Sequence, residues 1–339
     1  MGGIKDISQI TGLSVATISR VFNDSPLVSE KTRKRVLDAA EKLNYRHNRI
    51  AAALRSGKSK TIGVIVPEIS NHFFAKVING AEQALAERGY SAIITQSHDA
   101  SESEQSALES LLKLNVDGIL VSCAMETHDY RSFERLAEEG IPLVFFDRLP
   151  DFPKCNAVLL DDFHGGKMAT QHLIDQGCRH LLHVAGDSRV SIFNSRKSGF
   201  FSAVAEAGPA VESHTLVSLG FEMEKDLGTI GSLLEKQPEI DGIFCYGDKL
   251  AIRMLNILGE LDYAVPQKIK LIGFGNNEYT EFTSPKLSTI DQKCHEMGKK
   301  AVEVLIDALD SENEEFRIHT LIPELVIRGS SKRSSATPA

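Results

Sequence analysis

Polar side chains recur in this 339-residue chain just after short apolar runs. Asn71-His72-Phe73-Phe74 comes after Thr61-Ile62-Gly63-Val64-Ile65-Val66-Pro67, Ser122 after Gly118-Ile119-Leu120-Val121, and Asp147-Arg148 after Pro142-Leu143-Val144-Phe145-Phe146. Gly247-Asp248 comes after Ile243-Phe244-Cys245-Tyr246, and Asn276-Asn277 just beyond Lys270-Leu271-Ile272-Gly273-Phe274. Carboxylates and amides hydrogen-bond hydroxyl groups, and aromatic faces cover the apolar side of a ring. Asn71, Phe73, Phe74, Ser122, Asp147, Asp248 and Asn276 are therefore candidate contacts for a small, polar, polyhydroxylated ligand. Strand-end Asp and Asn also cap helices, so it is their recurrence that points to one cleft. A second set of residues suits phosphate: Ser14, Thr17, Ser19, Asn23, Ser29 and Thr32 are short donors, and Arg20 can reach a guanine or a phosphate.

Two kinds of element must position these groups. Ile4, Ile7 and Ile10 recur at helical spacing and stop at Gly12, which can take the left-handed conformation of a tight turn. Ser14 is the expected N-cap of a second helix whose inward stripe is Ile18, Val21 and Phe22, leaving Val15, Ala16, Ser19 and Arg20 outward. A third helix follows the cap Ser29 through Val36, Ala40 and Leu43, with Lys31, Arg33, Lys34 and Arg35 outside. Two helices joined by a Gly turn are a helix-turn-helix pattern, which can lay its second helix in a DNA major groove.

From residue 61 the apolar runs alternate with helical patterns over 75–89 and around 130–139. The series then restarts at Val158-Leu159-Leu160, with helices over 164–176 and 196–207 and a further strand at Leu181-Leu182-His183-Val184-Ala185. This is the βαβ signature of parallel sheets. Two series imply two doubly wound lobes, with ligands at strand carboxyl ends and in the cleft between them.

Charge divides the chain in the same way. Residues 1–60 hold 12 Lys and Arg against 5 Asp and Glu, whereas the remainder carries a net −15. A basic head on an acidic body points to nucleic acid at one end only. Asn48 to Gly57 joins them as a short Ala-rich helix, too short to be stable alone. No apolar run spans a bilayer and the N-terminus has no signal-peptide core, so a cytoplasmic protein is expected. The five cysteines (Cys123, Cys155, Cys178, Cys245, Cys294) are widely spaced, which argues against disulfides and structural zinc.

Catalytic patterns are not met, and no catalytic residue, metal or cofactor is expected. Gly57-Lys58-Ser59 lacks the glycine a phosphate-binding loop needs at position 52, and Gly165-Gly166-Lys167 has Asp161 and Met168 at required positions. His180 and His183 lie near Cys178 without further partners at ligand spacing, so His183 is read as structural.

The head residues Asp6-Ile7, Gly12 to Asn23, Val28 to Arg33, Leu43-Asn44-Tyr45 and Asn48 closely resemble those of the lactose-repressor/galactose-repressor family of bacterial transcription regulators. The resemblance continues to about residue 330, through Gly177, Arg179-His180 and the Arg-x-x-Gly-aromatic signature Arg196-Lys197-Ser198-Gly199-Phe200. It implies an N-terminal all-α helix-turn-helix domain (1–47) and a hinge helix and linker (48–60). An α/β two-lobed, periplasmic-binding-protein-like core of two doubly wound parallel sheets would follow (61–330). Lobe one would comprise about 61–158 plus 292–322, and lobe two about 159–291 plus 323–330. The Ser/Lys/Arg/Pro tail, from Ser330 and above all 331–339, is expected to be disordered.

The resemblance further implies a homodimer that reads a pseudo-palindromic operator in double-stranded DNA and is controlled by a small-molecule effector. Residues Val15, Ala16 and Arg20 would be the main base readers, Asn48 would belong to the hinge, and Leu54 would be the apolar wedge inserted into the minor groove. Arg196, a fixed fork of donors, and Phe221 would join Asp147 in the effector pocket. The chain departs from the family at Ser8 and Thr11, where small residues are usual, and at His47, where proline is usual. Gly275 replaces a common Asp, and Gly247 a common Asn or Ser. These last two suggest a more open pocket for a larger ligand. The competing reading is a sugar-binding or sugar-modifying protein that does not bind an operator; a regulator with a dead pocket is a weaker rival.

Overall fold

In the computed structural model, residues 3–22, 27–45, 58–149, 155–188, 190–219, 223–311 and 316–332 are described. Contacts divide the chain into two units, Met1–Ser59 and Lys60–Ala339.

The first unit contains α1 (Ile4–Thr11), α2 (Val15–Phe22) and α3 (Glu30–Lys42). Gly12 ends α1 with φ +63°, the left-handed conformation that the turn demands. The Ser14 hydroxyl accepts from the Thr17 amide at 3.1 Å, and that of Ser29 from the Thr32 amide at 3.3 Å. Ile7, Ile18, Val21, Val36, Ala39 and Ala40 form the core. Ile10, expected inside, is 56% exposed. A three-residue step falls short of the 3.6-residue turn, so by Ile10 the drift has carried the side chain off the buried face. The two unusual hydroxyls are used internally: Ser8 donates to the Leu13 carbonyl and Thr11 to that of Ile7, each at 2.6 Å. Arg33, expected on the outer face, instead turns back to donate to the Val21 carbonyl at 3.2 Å.

The second unit starts with β1 (Thr61–Val66), α4 (His72–Glu87), β2 (Ser91–Gln96), α5 (Ser101–Lys113), β3 (Gly118–Val121), α6 (Arg131–Glu138), β4 (Leu143–Phe146) and β5 (Asn156–Leu160). It continues through α7 (Asp162–Asp175), β6 (His180–Ala185), α8 (Ser191–Ala207), β7 (Ser213–Ser218), α9 (Met223–Lys236), β8 (Gly242–Cys245), α10 (Asp248–Glu260) and β9 (Lys270–Ile272). Last come β10 (Thr289–Asp291), α11 (Cys294–Asp310), β11 (Ile318–Leu321) and β12 (Glu324–Val326). One sheet has the order β11-β5-β4-β3-β1-β2 and the other β7-β6-β8-β9, parallel throughout. β10 and β12 form a separate antiparallel pair. The chain passes from the first sheet to the second after β5, returns after β10 and leaves again after β11.

Two expectations are corrected. The strand at 156–160 closes the first series instead of opening the second: Val144, Phe145 and Phe146 pair with Asn156, Ala157 and Val158. An apolar strand carries no mark of the sheet it joins, so the pattern misplaced it. The tail is not free from Ser330 onward. Ser330 and Ser331 are fully buried. Ser331 Oγ lies 2.7 Å from His172 Nε2 and donates to Ser288 Oγ at 2.6 Å, and Ser330 Oγ donates to the Leu271 carbonyl at 2.7 Å. Residues 333–339 lie outside the described residues.

Candidate functional site

On the head, Ala16 and Arg20 are exposed and Val15, Thr17 and Ser19 half-buried along α2. Ser14 and Ser29 are exposed, and each caps its helix while sharing a 2.9 Å hydrogen bond with a threonine hydroxyl, Thr17 and Thr32 respectively. The face opposite the Ile18–Val21 stripe thus presents small side chains beside the exposed Arg20, a surface that a groove can approach closely. Asn23, His47, Asn48 and Leu54 lie outside the described residues, and so does Phe221 of the expected pocket.

In the second unit the sheet orders set the site. Both sheets reverse winding at their first strand, β1 beside β3 and β6 beside β8, and ligands bind at the carboxyl ends of such switch points. Asn71 and Phe74 follow β1 and Ser122 follows β3. Arg196 lies on the helix after β6, and Asp248 opens the helix after β8. Asn71 caps α4, its side chain accepting from the Phe73 amide at 3.0 Å, and the Phe73 and Phe74 rings meet edge to face with centroids 5.0 Å apart.

Arg148, Arg196 and Asp162 all lie near enough to Asp147 to act on its carboxyl. Arg196 is 3% exposed. Its Nε donates to Asp162 Oδ1 at 2.7 Å and its Nη1 to the Tyr246 carbonyl at 2.8 Å, while the guanidinium lies 3.7 Å from the Phe274 ring centroid. Nη2 is buried with no partner among the described residues, as is the Ser122 hydroxyl. Asp147 directly follows β4 with φ +63°, a strained conformation for a non-glycine residue. Burial pushes its carboxyl up to about 6, against the opposing pull of Arg148 and Arg196. Arg148 is held from behind by Asp99 and by the Cys123 carbonyl, and its Nε lies 3.8 Å from Asp147 Oδ2. Unused donors beside a costly carboxylate are what a hydrogen-bonding ligand would satisfy.

The raised Asp147 carboxyl has a consequence for stability. Below its unfolded value of 3.8 both states are protonated, and between 3.8 and about 6 only the unfolded state ionises, so stability falls as pH rises. Asp147→Asn should therefore raise unfolding free energy by about 2–3 kcal/mol at pH 7.5 and by little at pH 4. Chemical denaturation at the two pH values checks this; an equal effect at both would contradict it.

Other expected contacts turn inward. Asp248 Oδ1 accepts from Thr289 Oγ1 at 2.6 Å, and Oδ2 from the Asn277 backbone amide at 2.9 Å and its side-chain amide at 3.2 Å. Asn276 Nδ2 donates to Asp291 at 2.9 Å, while its Oδ1 accepts from Arg328 at 2.9 Å. Both side chains hold the loop after β9. The space foreseen over Gly275 is not open: a Cβ there would sit 2.9 Å from Asn277 Nδ2 and 3.1 Å from Asp248 Oδ2. A cavity of about 660 Å³ opens along one rim, lined by His72, Lys76, Asn79, Asn276 and Asp291. A second of about 520 Å³, between α9 and α10, contains none of the expected ligand contacts. His183 is fully buried, stacked between Phe200 and Phe244 at 5.1 and 4.5 Å. Asp162 and Asp99, the partners of the two arginines, are not among the residues the sequence singles out. The adjacent Asp161-Asp162 after an apolar strand was the available signal for the first.

The Arg-x-x-Gly-aromatic run gains a structural reason. A Cβ on Gly199 would lie 2.1 Å from the Phe163 carbonyl oxygen, and one on Gly166 2.2 Å from that of Arg196. Helices α7 and α8 thus cross in backbone contact, which seats Arg196 against the first turns of α7.

Comparison with known proteins agrees with this architecture. Residues 3–48 match the model of bacterial regulatory proteins of the lacI family, and residues 170–331 the periplasmic binding protein-like domain. Repressors named HTH-type transcriptional repressor PurR are similar along the whole chain. That of Photobacterium profundum is 33% identical over 98% of this chain and 99% of its own, and that of Pasteurella multocida 34% over the same shares. Among solved structures, the lac repressor dimer bound to operator and the anti-inducer ONPF shares the fold (TM-score 0.83, 20% identity, 97% of this chain and 99% of that one). The regulator CelR in complex with cellobiose aligns with TM-score 0.72 and 25% identity over 97% and 100%. With a helix-turn-helix head, a two-lobed parallel α/β body and full-length relatives at this identity, the chain belongs to the lacI family of bacterial regulatory proteins.

Proposed function

We propose that this ligand-regulated DNA-binding repressor acts as a homodimer in the cytoplasm and reads a pseudo-palindromic operator. The observation that carries the reading is the exposed Ala16–Arg20 face of α2 on a basic unit joined to a body with a built cleft. Val15, Ala16 and Arg20 read base edges; Ser14, Thr17, Ser19, Asn23, Ser29 and Thr32 set register on phosphates. Residues 48–60 form the hinge, with Asn48 and Leu54 at the minor groove. The effector is a small polar metabolite of sugar type. It sits among Phe73, Phe74, Ser122, Asp147, Arg196 and Phe221, its unpaired donors and acceptors completing those the fold leaves unused. Asn71 and Asn276 border this site, and Asp248 holds the loop that carries Asn276. The PurR repressors, and the cellobiose complex of CelR, support both halves of the reading.

Leu54→Ala tests the DNA half. Its affinity for a specific duplex should fall about tenfold or more, ~1.4 kcal/mol, while affinity for scrambled DNA changes little, as an apolar wedge acts on the bent, specific complex. Fluorescence anisotropy on both duplexes measures this; equal losses would make Leu54 ordinary helix packing.

A further inference from the structure

Arg196 does not choose its own orientation. Its guanidinium has three nitrogens: Nε is occupied by Asp162 at 2.7 Å, Nη1 by the Tyr246 carbonyl at 2.8 Å, and Nη2 has no partner among the described residues. The only charged partner in this set is Asp162, buried at 6% exposure and supplied by the first residue of α7. A carboxylate accepting from a guanidinium forms a charge-assisted bond, stronger and more directional than the bond to the carbonyl. The Phe274 face at 3.7 Å fixes the plane but leaves rotation within it free. The Asp162 and Tyr246 bonds together set which nitrogen is left over, and of the two Asp162 supplies the charged, stronger one.

Asp162 also stands at a mechanical junction. It follows β5 by two residues, where the chain passes from the first sheet to the second. The neighbouring Asp161 caps α7, its side chain accepting from the His164 amide at 2.9 Å. The Asp161 backbone amide donates to the Leu321 carbonyl at 2.9 Å, at the end of β11, where the chain crosses once more. One turn further on, Gly166 lies against the Arg196 backbone. Arg196 is thus gripped at backbone and side chain by the same helical start, and that start is bonded to a second crossover.

We propose that Asp162 is a positioning residue of the effector site: it turns the Arg196 guanidinium so that Nη2 alone is offered to the ligand, and it ties that arginine to the segment where the two lobes join. The proposal rests on the reading of the cleft as the effector site. Asp162 itself touches no ligand. Its carboxylate is committed to Arg196, so its effect on binding passes through the arginine.

The Arg196 Nε–H resonance of the full-length ¹⁵N-labelled protein, assigned by its loss in Arg196→Lys, tests the orientation without any ligand. In the native protein it should be shifted downfield and exchange slowly. In Asp162→Asn it should move upfield and exchange about tenfold faster, as expected when a bond to an ionised acceptor becomes a neutral one. An unchanged resonance overturns the proposal. Asp162→Glu, which keeps the charge and displaces it by one methylene, should fall between the two and serves if the Asn variant does not fold. Calorimetric titrations with cellobiose, D-xylulose and D-glucose then separate the two levels. Affinity lost about tenfold in both Asp162→Asn and Arg196→Lys supports the positioning role. Loss in Arg196→Lys alone refutes it and leaves the cleft reading standing. Binding indifferent to both variants removes the cleft reading, and the proposal with it. If none of the three sugars gives heat, the resonance decides.

Discussion

Replacing Arg196 with alanine should destabilise the body by about 3–5 kcal/mol. The reason is less the lost attraction than the charge left behind. Asp162 sits in the same buried site, and burial already pushes its carboxyl up while Arg196 pulls it back. Without the arginine, Asp162 must either stay ionised and unpaired or take up a proton. The deficit should therefore grow as pH rises through the range in which the lone carboxyl ionises. The double substitution Arg196→Ala with Asp162→Ala should recover part of the loss, since removing both partners leaves no uncompensated charge. Urea unfolding of the three variants at pH 5 and pH 8 measures this. A single-variant deficit below about 1 kcal/mol at both pH values would mean that the pair is solvated, contrary to its burial.

Gly199→Ala should be nearly as damaging, by about 3 kcal/mol or more. The added methyl would stand 2.1 Å from the Phe163 carbonyl oxygen and 2.6 Å from the Lys167 amide nitrogen. These are backbone atoms of α7, which cannot rotate aside, so the two helices must part. Parting them also draws Arg196 away from Asp162, so effector response should fail before folding does. Gly259→Ala is the matched control. It is itself exposed in the last turn of α10, with nothing within 4 Å of the new methyl, and should stabilise by about 0.4–1 kcal/mol through the unfolded chain. Thermal unfolding of both variants checks the pair; similar melting temperatures would contradict the close crossing of α7 and α8.

Much of this was legible in the residues, and the reasons differ by element. The head could be read because Gly12, Ser14 and Ser29 act locally: a left-handed turn and two caps depend only on neighbouring residues. Strand ends mark the candidate site for the same reason, since Ser122 and Asp147 follow four-residue apolar strands directly. What escaped depends on distant pairing. Nothing in Val158-Leu159-Leu160 says which sheet it joins. Nothing at Ser331 foretells His172, a partner 159 positions away. Asp248 and Asn276 have the type and position of ligand contacts, but their bonds to Thr289, Asn277, Asp291 and Arg328 are marked by no local pattern. Gly275 showed the same limit: a missing side chain suggested space, and a neighbouring amide fills it.

The central claim is that this chain recognises a two-fold symmetric DNA sequence. The most direct measurement is selection from a pool of random duplexes by the full-length protein, followed by binding to the winning sequence across a salt series. A pseudo-palindrome whose half-sites respond to Arg20→Ala should be enriched, with affinity that falls steeply as salt rises. Retention of duplexes without sequence enrichment, or no retention at low salt, would contradict it.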